Sequence, residues 1–155
     1  MATDKVRFES RSAAETRQIG EALGAQLGQG DVIACMGELG SGKTTFIQGL
    51  VCGLGGPGTA TSPTFVLINH YQGRLPIFHL DAYRTESLTE VLDLGVDEIL
   101  DGEGVTVIEW ADKLLPLLPP RTIAVRIAGL GEEPREINVD GLPEGWSLRV
   151  PDSGR

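Results

Sequence analysis

The residues Gly37-Glu38-Leu39-Gly40-Ser41-Gly42-Lys43-Thr44 fit the pattern G-x-x-x-x-G-K-[ST], a phosphate-binding loop. The spacing has a chemical reason. A triphosphate carries several negative charges, and a tight loop can surround it with backbone N–H donors only if side chains do not block the approach. Gly37, Gly40 and Gly42 remove those side chains and permit unusual backbone angles. Lys43 would set an ammonium on the β- and γ-phosphates, and Thr44 would offer a hydroxyl to Mg2+. A helix opening there would aim free N–H groups and its positive dipole end at the anion. The candidate nucleotide-binding residues are therefore Glu38, Leu39, Gly40, Ser41, Gly42, Lys43, Thr44 and Thr45. The chain is rich in glycine but holds only three lysines, Lys5, Lys43 and Lys113. Those frequencies give roughly 1 chance match in 150 such chains.

Other stretches could complete such a site. Val105-Thr106-Val107-Ile108-Glu109-Trp110 reads as an apolar strand ending in a carboxylate. Glu109 could hold Mg2+ directly or through water while Thr44 holds the other side. In His79-Leu80-Asp81-Ala82-Tyr83-Arg84, period-2 alternation puts His79, Asp81 and Tyr83 on one face if a strand continues. That face reads equally as a solvated edge. Ser62-Pro63-Thr64 reads either as a plain turn or as a switch-like segment whose hydroxyls sense the γ-phosphate and metal. Trp110 packs in the core or stacks on a ligand.

The elements that must position these groups are legible as well. Asp31 to Met36 is a short, mostly apolar run, as a strand buried on both faces should be. After the loop, Phe46, Ile47, Leu50, Val51 and Leu54 recur at helical spacing. Upstream, Val6 to Ser10 reads as a strand. Ser12-Ala13-Ala14-Glu15 reads as a capping box, with a helix over 13–27 ended by Gly28 and Gly30. Downstream, Phe65–Tyr71 and Leu75–Leu80 read as an antiparallel hairpin around Gln72-Gly73-Arg74. Short helices are predicted after Ser87, over Val96–Leu100 and over Ala111–Leu118, and strands over Arg121–Ile127 and Arg135–Val139.

Composition sets limits. The 155 residues suit one domain, 1–155, with a frayed tail from about residue 151. The net charge of −9 argues against strong direct nucleic-acid binding, where phosphate contacts dominate. No run approaches the ~18 apolar residues of a membrane span, and the polar start of the chain does not read as a secretory signal. Cys35 and Cys52 read as buried, reduced thiols of a cytoplasmic protein.

Taken together, the loop, Ser62-Pro63-Thr64-Phe65, His79-Leu80-Asp81-Ala82-Tyr83-Arg84 and Ile108-Glu109-Trp110 resemble the TsaE (older name YjeE) family in order and spacing. These are small bacterial P-loop ATPases of the tRNA threonylcarbamoyladenosine pathway. The motifs run over residues 37–110; the region after Pro120 is not diagnostic. The resemblance implies a three-layer α/β sheet of the P-loop NTPase type, with a mostly parallel core, an antiparallel hairpin and helices on both faces. It implies ATP and Mg2+ as cofactors and slow hydrolysis. It implies TsaB and TsaD as protein partners, with tRNA reached through their complex. By matching position, Lys43 and Thr44 carry over as phosphate and Mg2+ contacts, and Glu109 as the metal acid. Asp81 carries over as a catalytic or water-positioning acid, and Ser62 and Thr64 as the switch-like segment. His79, Tyr83, Arg84 and Trp110 belong to the motifs without an assigned role. A small-molecule P-loop kinase is the alternative, although 110–120 lacks the arginines of a kinase lid. A GTP switch would carry N-K-x-D, which is absent. A nucleotide-sensing scaffold differs from a slow ATPase only in turnover.

Overall fold

A computed structural model describes residues 3–37, 42–56, 68–81, 102–109, 111, 118–129, 132 and 134–143. Seven strands form one sheet in the order β1-β7-β6-β2-β5-β4-β3. They are β1 (Thr3–Ser10), β2 (Val32–Gly37), β3 (Ile68–Gln72), β4 (Pro76–Asp81), β5 (Val105–Glu109), β6 (Ile123–Ala128) and β7 (Arg135–Pro143). The four central strands, β6-β2-β5-β4, run parallel. β2 and β5 are buried along almost their whole length, which explains why they read as near-continuous apolar runs.

Antiparallel strands extend the parallel core on both sides. β3 pairs with β4 in the predicted hairpin, whose turn falls one residue later than expected, at Gly73, Arg74 and Leu75. Pro76 then opens β4, a position where its missing N–H is tolerated. On the other side β7 pairs with β6 and also with β1. The pairing of β1 with β7 was not foreseen. β7 runs to Pro143 because its far half pairs with β1, up to Thr3↔Pro143.

Two helices lie on one sheet face, α1 (Ala13–Gly24) and α2 (Lys43–Gly53). Their apolar stripes, including Ile19, Leu23, Phe46, Ile47 and Leu50, meet Ile33, Val107 and Val125 of the sheet in the main core. A smaller cluster on the other face joins Val32, Ala34, Met36, Leu80, Ile108 and Ala111. The helices predicted over 87–100 and 111–118 lie outside the described residues, apart from Ala111 and Leu118.

Ser12 caps α1 as predicted, with its Oγ accepting from the Glu15 N–H at 3.1 Å. The reciprocal bond falls one residue early: Glu15 Oε2 accepts from the Arg11 N–H at 2.9 Å. The helix stops at Gly24 rather than at residue 27. Its last carbonyls have another partner, because Arg74 Nη2 donates to Leu27 O at 2.6 Å, Gly24 O at 2.9 Å and Ala25 O at 3.3 Å. A guanidinium at a helix C-terminus satisfies orphan acceptors and complements the dipole. α2 ends in a Schellman arrangement, with Gly55 at φ 82° and the Gly56 N–H bonded to Val51 O.

The helices touch backbone to backbone. Gly20 and Gly24 on α1 face Gly49 and Gly53 on α2. A Cβ at Gly49 would lie 2.0 Å from Arg17 O, one at Gly20 2.2 Å from Phe46 O, and one at Gly53 2.3 Å from Glu21 O. Burial is thus periodic on α2, and its outward positions Thr45, Gln48 and Cys52 form the opposite stripe. Cys52 is therefore exposed, contrary to the expectation of two buried thiols; Cys35 is buried.

Two effects oppose each other in Gly49→Ala. Helix propensity favours alanine by about 1 kcal/mol. Overpacking against backbone, which cannot rotate away, costs about 1–3 kcal/mol or more. The clash should win, with a net loss of about 2 kcal/mol in urea unfolding. Cys52→Ala on the outer stripe should stay within about 0.5 kcal/mol of the parent. An unchanged or raised midpoint for Gly49→Ala would disprove the backbone contact.

Candidate functional site

The carboxyl ends of β2, β4 and β5 converge where α2 begins. In open α/β sheets this is the edge at which ligands bind. β2 finishes at Gly37, and α2 starts at Lys43 with Gly42 as its N-cap. Gly42 has φ 106° and ψ 17°, a left-handed conformation that side-chain-bearing residues avoid. No side chain caps the start of α2 there, and a helix N-terminus of this kind suits an anion. Thr16 of α1 approaches the same point, and its Oγ1 shares a buried 2.6 Å hydrogen bond with Ser10 Oγ.

The Lys43 Nζ donates to the Gly37 carbonyl oxygen at 2.6 Å, at the end of β2. Register fixes the acids. Glu109 pairs with Cys35 on one side and with Asp81 on the other. The exposures are 5% for Lys43, 3% for Glu109, 6% for Asp81 and 0% for His79. His79 Nε2 lies 2.6 Å from Glu109 Oε1. His79 and Asp81 are two residues apart on β4, so alternation puts them on the face that carries Glu109. The solvated-edge reading of this face is thereby excluded for His79 and Asp81. β4 ends at Asp81.

The structure thus gathers Gly42, Lys43, Thr44, Asp81, Glu109 and His79 at one end of the sheet, with Thr45 in the first turn of α2. Glu38, Leu39, Gly40, Ser41, Ser62, Thr64, Tyr83, Arg84 and Trp110 lie outside the described residues. Sequence reasoning missed Tyr71 and Asn69. The Tyr71 hydroxyl lies 3.4 Å from His79 Nδ1, and Asn69 Nδ2 donates to that hydroxyl at 3.3 Å. The hairpin register was the available signal, since Asn69↔His79 and alternation put Tyr71 on the same face.

The donor set fits the groups that the loop implies. An uncapped helix start and a buried ammonium suit phosphate. A threonine in the first turn of α2 and carboxylates at the ends of β4 and β5 suit Mg2+, which is commonly held by one or two carboxylates together with phosphate oxygens. Two neighbouring buried carboxylates are costly without a positive charge close by.

A mixed sheet with a parallel core, a glycine-led helix start, and a lysine with acids at the strand ends define an α/β P-loop protein. The family model described as "Threonylcarbamoyl adenosine biosynthesis protein TsaE" matches residues 10–137, and the chain belongs to this family. It is 42% identical over 134 residues to the tRNA threonylcarbamoyladenosine biosynthesis protein TsaE of Treponema pallidum, covering 86% of this chain and 99% of that one. It is 39% identical over 152 residues to the Bacillus subtilis protein of the same name, covering 97% and 95%. The crystal structure of Bacillus subtilis YdiB superposes with a TM-score of 0.75 at 33% identity, covering 92% of this chain and 89% of that one. Among the described residues no helix is long and apolar enough to cross a membrane.

Cys35 sits in β2, beside Glu109 in the register. Burial pushes its thiol far above the ordinary range; the Glu109 charge raises it further, and Lys43 opposes the rise. A thiol raised by folding keeps its proton after the unfolded chain has lost it. The unfolded state then binds fewer protons, and stability falls as pH rises. The loss should set in above about pH 8.5 and approach about 1.4 kcal/mol per pH unit. Urea unfolding between pH 7 and 10 should show a shallower decline in Cys35→Ala than in the parent. Equal slopes would mean that the thiol titrates alike in both states.

Proposed function

We propose that the chain is a Mg2+-dependent ATPase that cleaves the β–γ bond of ATP slowly by itself. It supports formation of N6-threonylcarbamoyladenosine in tRNA. In this reading residues 1–155 act as one domain in the cytoplasm. TsaB and TsaD are the partners, and tRNA is reached through their complex. The observation that carries the reading is the meeting of buried Lys43, Glu109 and Asp81 at the Gly42 helix start, in a chain of the TsaE family. The names of the Treponema and Bacillus relatives support the pathway.

Phosphoryl transfer needs positioning and charge stabilisation more than covalent chemistry. The loop amides and Lys43 would bind the phosphates and neutralise charge that develops on them. Thr44 and Glu109 would hold Mg2+, which when bound supplies further neutralisation on the β- and γ-oxygens. Asp81 would orient the attacking water and take up its proton. Ser62 and Thr64 would follow the γ-phosphate as a switch-like segment.

Phosphate release should be measured for the protein alone and with TsaB, TsaD and substrate tRNA. The complex should stimulate turnover. Lys43→Ala should abolish hydrolysis and weaken ATP binding about tenfold or more, a loss of at least about 1.4 kcal/mol. Asp81→Asn should lower kcat about 10²-fold or more while ATP affinity stays within about threefold. Parental kcat in Asp81→Asn would remove that residue from the chemistry. Absence of stimulation, together with phosphate transfer to a small acceptor, would favour a kinase.

A further inference from the structure

The hairpin carries a polar chain that the proposed chemistry does not use directly. It starts at Asn69 and Tyr71 on β3, passes through His79 on β4 and ends at Glu109 on β5. The steps are 3.3, 3.4 and 2.6 Å. Register explains the path. Tyr71 pairs with Ile77 and His79 with Val107, so each contact runs to the diagonal neighbour on the same face. Diagonal neighbours are within reach of aromatic side chains.

The polarity of the chain is consistent. The Asn69 amide donates to the Tyr71 oxygen. The Tyr71 hydroxyl can then give its proton to His79 Nδ1, which leaves Nε2–H to donate to Glu109 Oε1. A ring nitrogen held from behind fixes the tautomer and orientation of the other. The short final contact lies at a fully buried imidazole and a 3% exposed carboxylate, so water does not compete for it.

We infer that His79 is a positioning residue: through Nε2–H, oriented by Tyr71, it fixes the rotamer of Glu109 and so sets the affinity of the site for Mg2+. The inference rests on Glu109 being the metal acid. Outer partners of metal-binding carboxylates change metal affinity about 10- to 100-fold when removed.

The test titrates MgCl2 against the full-length protein and a fluorescent ATP analogue and reads the Mg2+ concentration at half-maximal tightening of nucleotide binding. Glu109→Gln should raise it about tenfold or more, and His79→Leu should do the same. His79→Gln, whose Nε2 can replace the imidazole donor, should bring it back to within about threefold of the parent. Tyr71→Phe should move it in the same direction as His79→Leu, by less. Nitrogen NMR of the unsubstituted protein should show His79 protonated at Nε2 and bare at Nδ1, a readout that needs no variant to fold. A shift in Glu109→Gln with none in His79→Leu overturns the positioning role alone. Parental Mg2+ dependence in Glu109→Gln overturns the metal-acid reading and the inference with it. The opposite tautomer, or a His79→Gln no better than His79→Leu, also overturns it. A purely structural role would lower the melting temperature of the variants without moving the Mg2+ midpoint.

Discussion

The closeness of α1 to α2 is the constraint on which the rest of the structure depends. The first turn of α2 must stand at the strand ends, and its far end must remain fixed if that turn is to stay aimed. Facing glycines let the two backbones meet, so α2 is held along its length by a surface with no rotamers to change. The β3–β4 turn completes the clamp. Gly73 lies so close to Leu54 that a Cβ would fall 2.3 Å from its carbonyl oxygen, and the Arg74 N–H donates to that oxygen at 2.8 Å. The Arg74 guanidinium meanwhile holds the end of α1. One hairpin therefore anchors both helix C-termini with its turn and carries Tyr71, His79 and Asp81 on its strands. The start of α2 and the acids at the strand ends share a single support.

That support has to hold charges where water is scarce. Breaking a buried ion pair by removing one partner costs about 3–5 kcal/mol, far more than the pair contributes to stability. Surface pairs such as Arg7–Glu136 and Lys5–Asp140 are worth about 0–1 kcal/mol. The stability they contribute does not explain the ionisable groups at the strand ends, and the proposed ligands would. In the proposed function a polyanion would bring negative charge to Lys43 and the helix start, and a divalent cation would bring positive charge to the acids. Each would make the other's burial less costly, which would couple the two binding events.

Most of the fold was readable because its central elements obey simple patterns. β2 is apolar throughout, β5 is apolar apart from Thr106 and its terminal Glu109, α2 repeats at helical spacing, and the loop motif joins β2 to α2. The glycine contact was not readable: Gly20, Gly24, Gly49 and Gly53 look like weaknesses in a helix until a second backbone is placed against them. The early end of α1 was hidden for a similar reason, since the residue that takes its carbonyls, Arg74, lies 50 positions from Gly24. The proposed site residues Lys43, Asp81 and Glu109 stood out by type and spacing. Tyr71 and Asn69 did not, because their meaning depends on a register set by a three-residue turn.

The long reach of β7 follows from the same economy of contacts. A parallel core that ended at β6 would leave a straight edge of unpaired donors and acceptors. β7 covers that edge and β1 covers β7 in turn. The new outer strand carries Lys5, Arg7 and Glu9 at alternate, exposed positions, a pattern that discourages further pairing. Because β1 leads through Ser10 into the start of α1, and Thr16 touches the region of Gly42, closing this edge also fixes the wall beside Gly42. Strand pairing at the far side of the sheet and placement of the α2 start are therefore parts of one arrangement, tied together by the buried Ser10–Thr16 hydrogen bond.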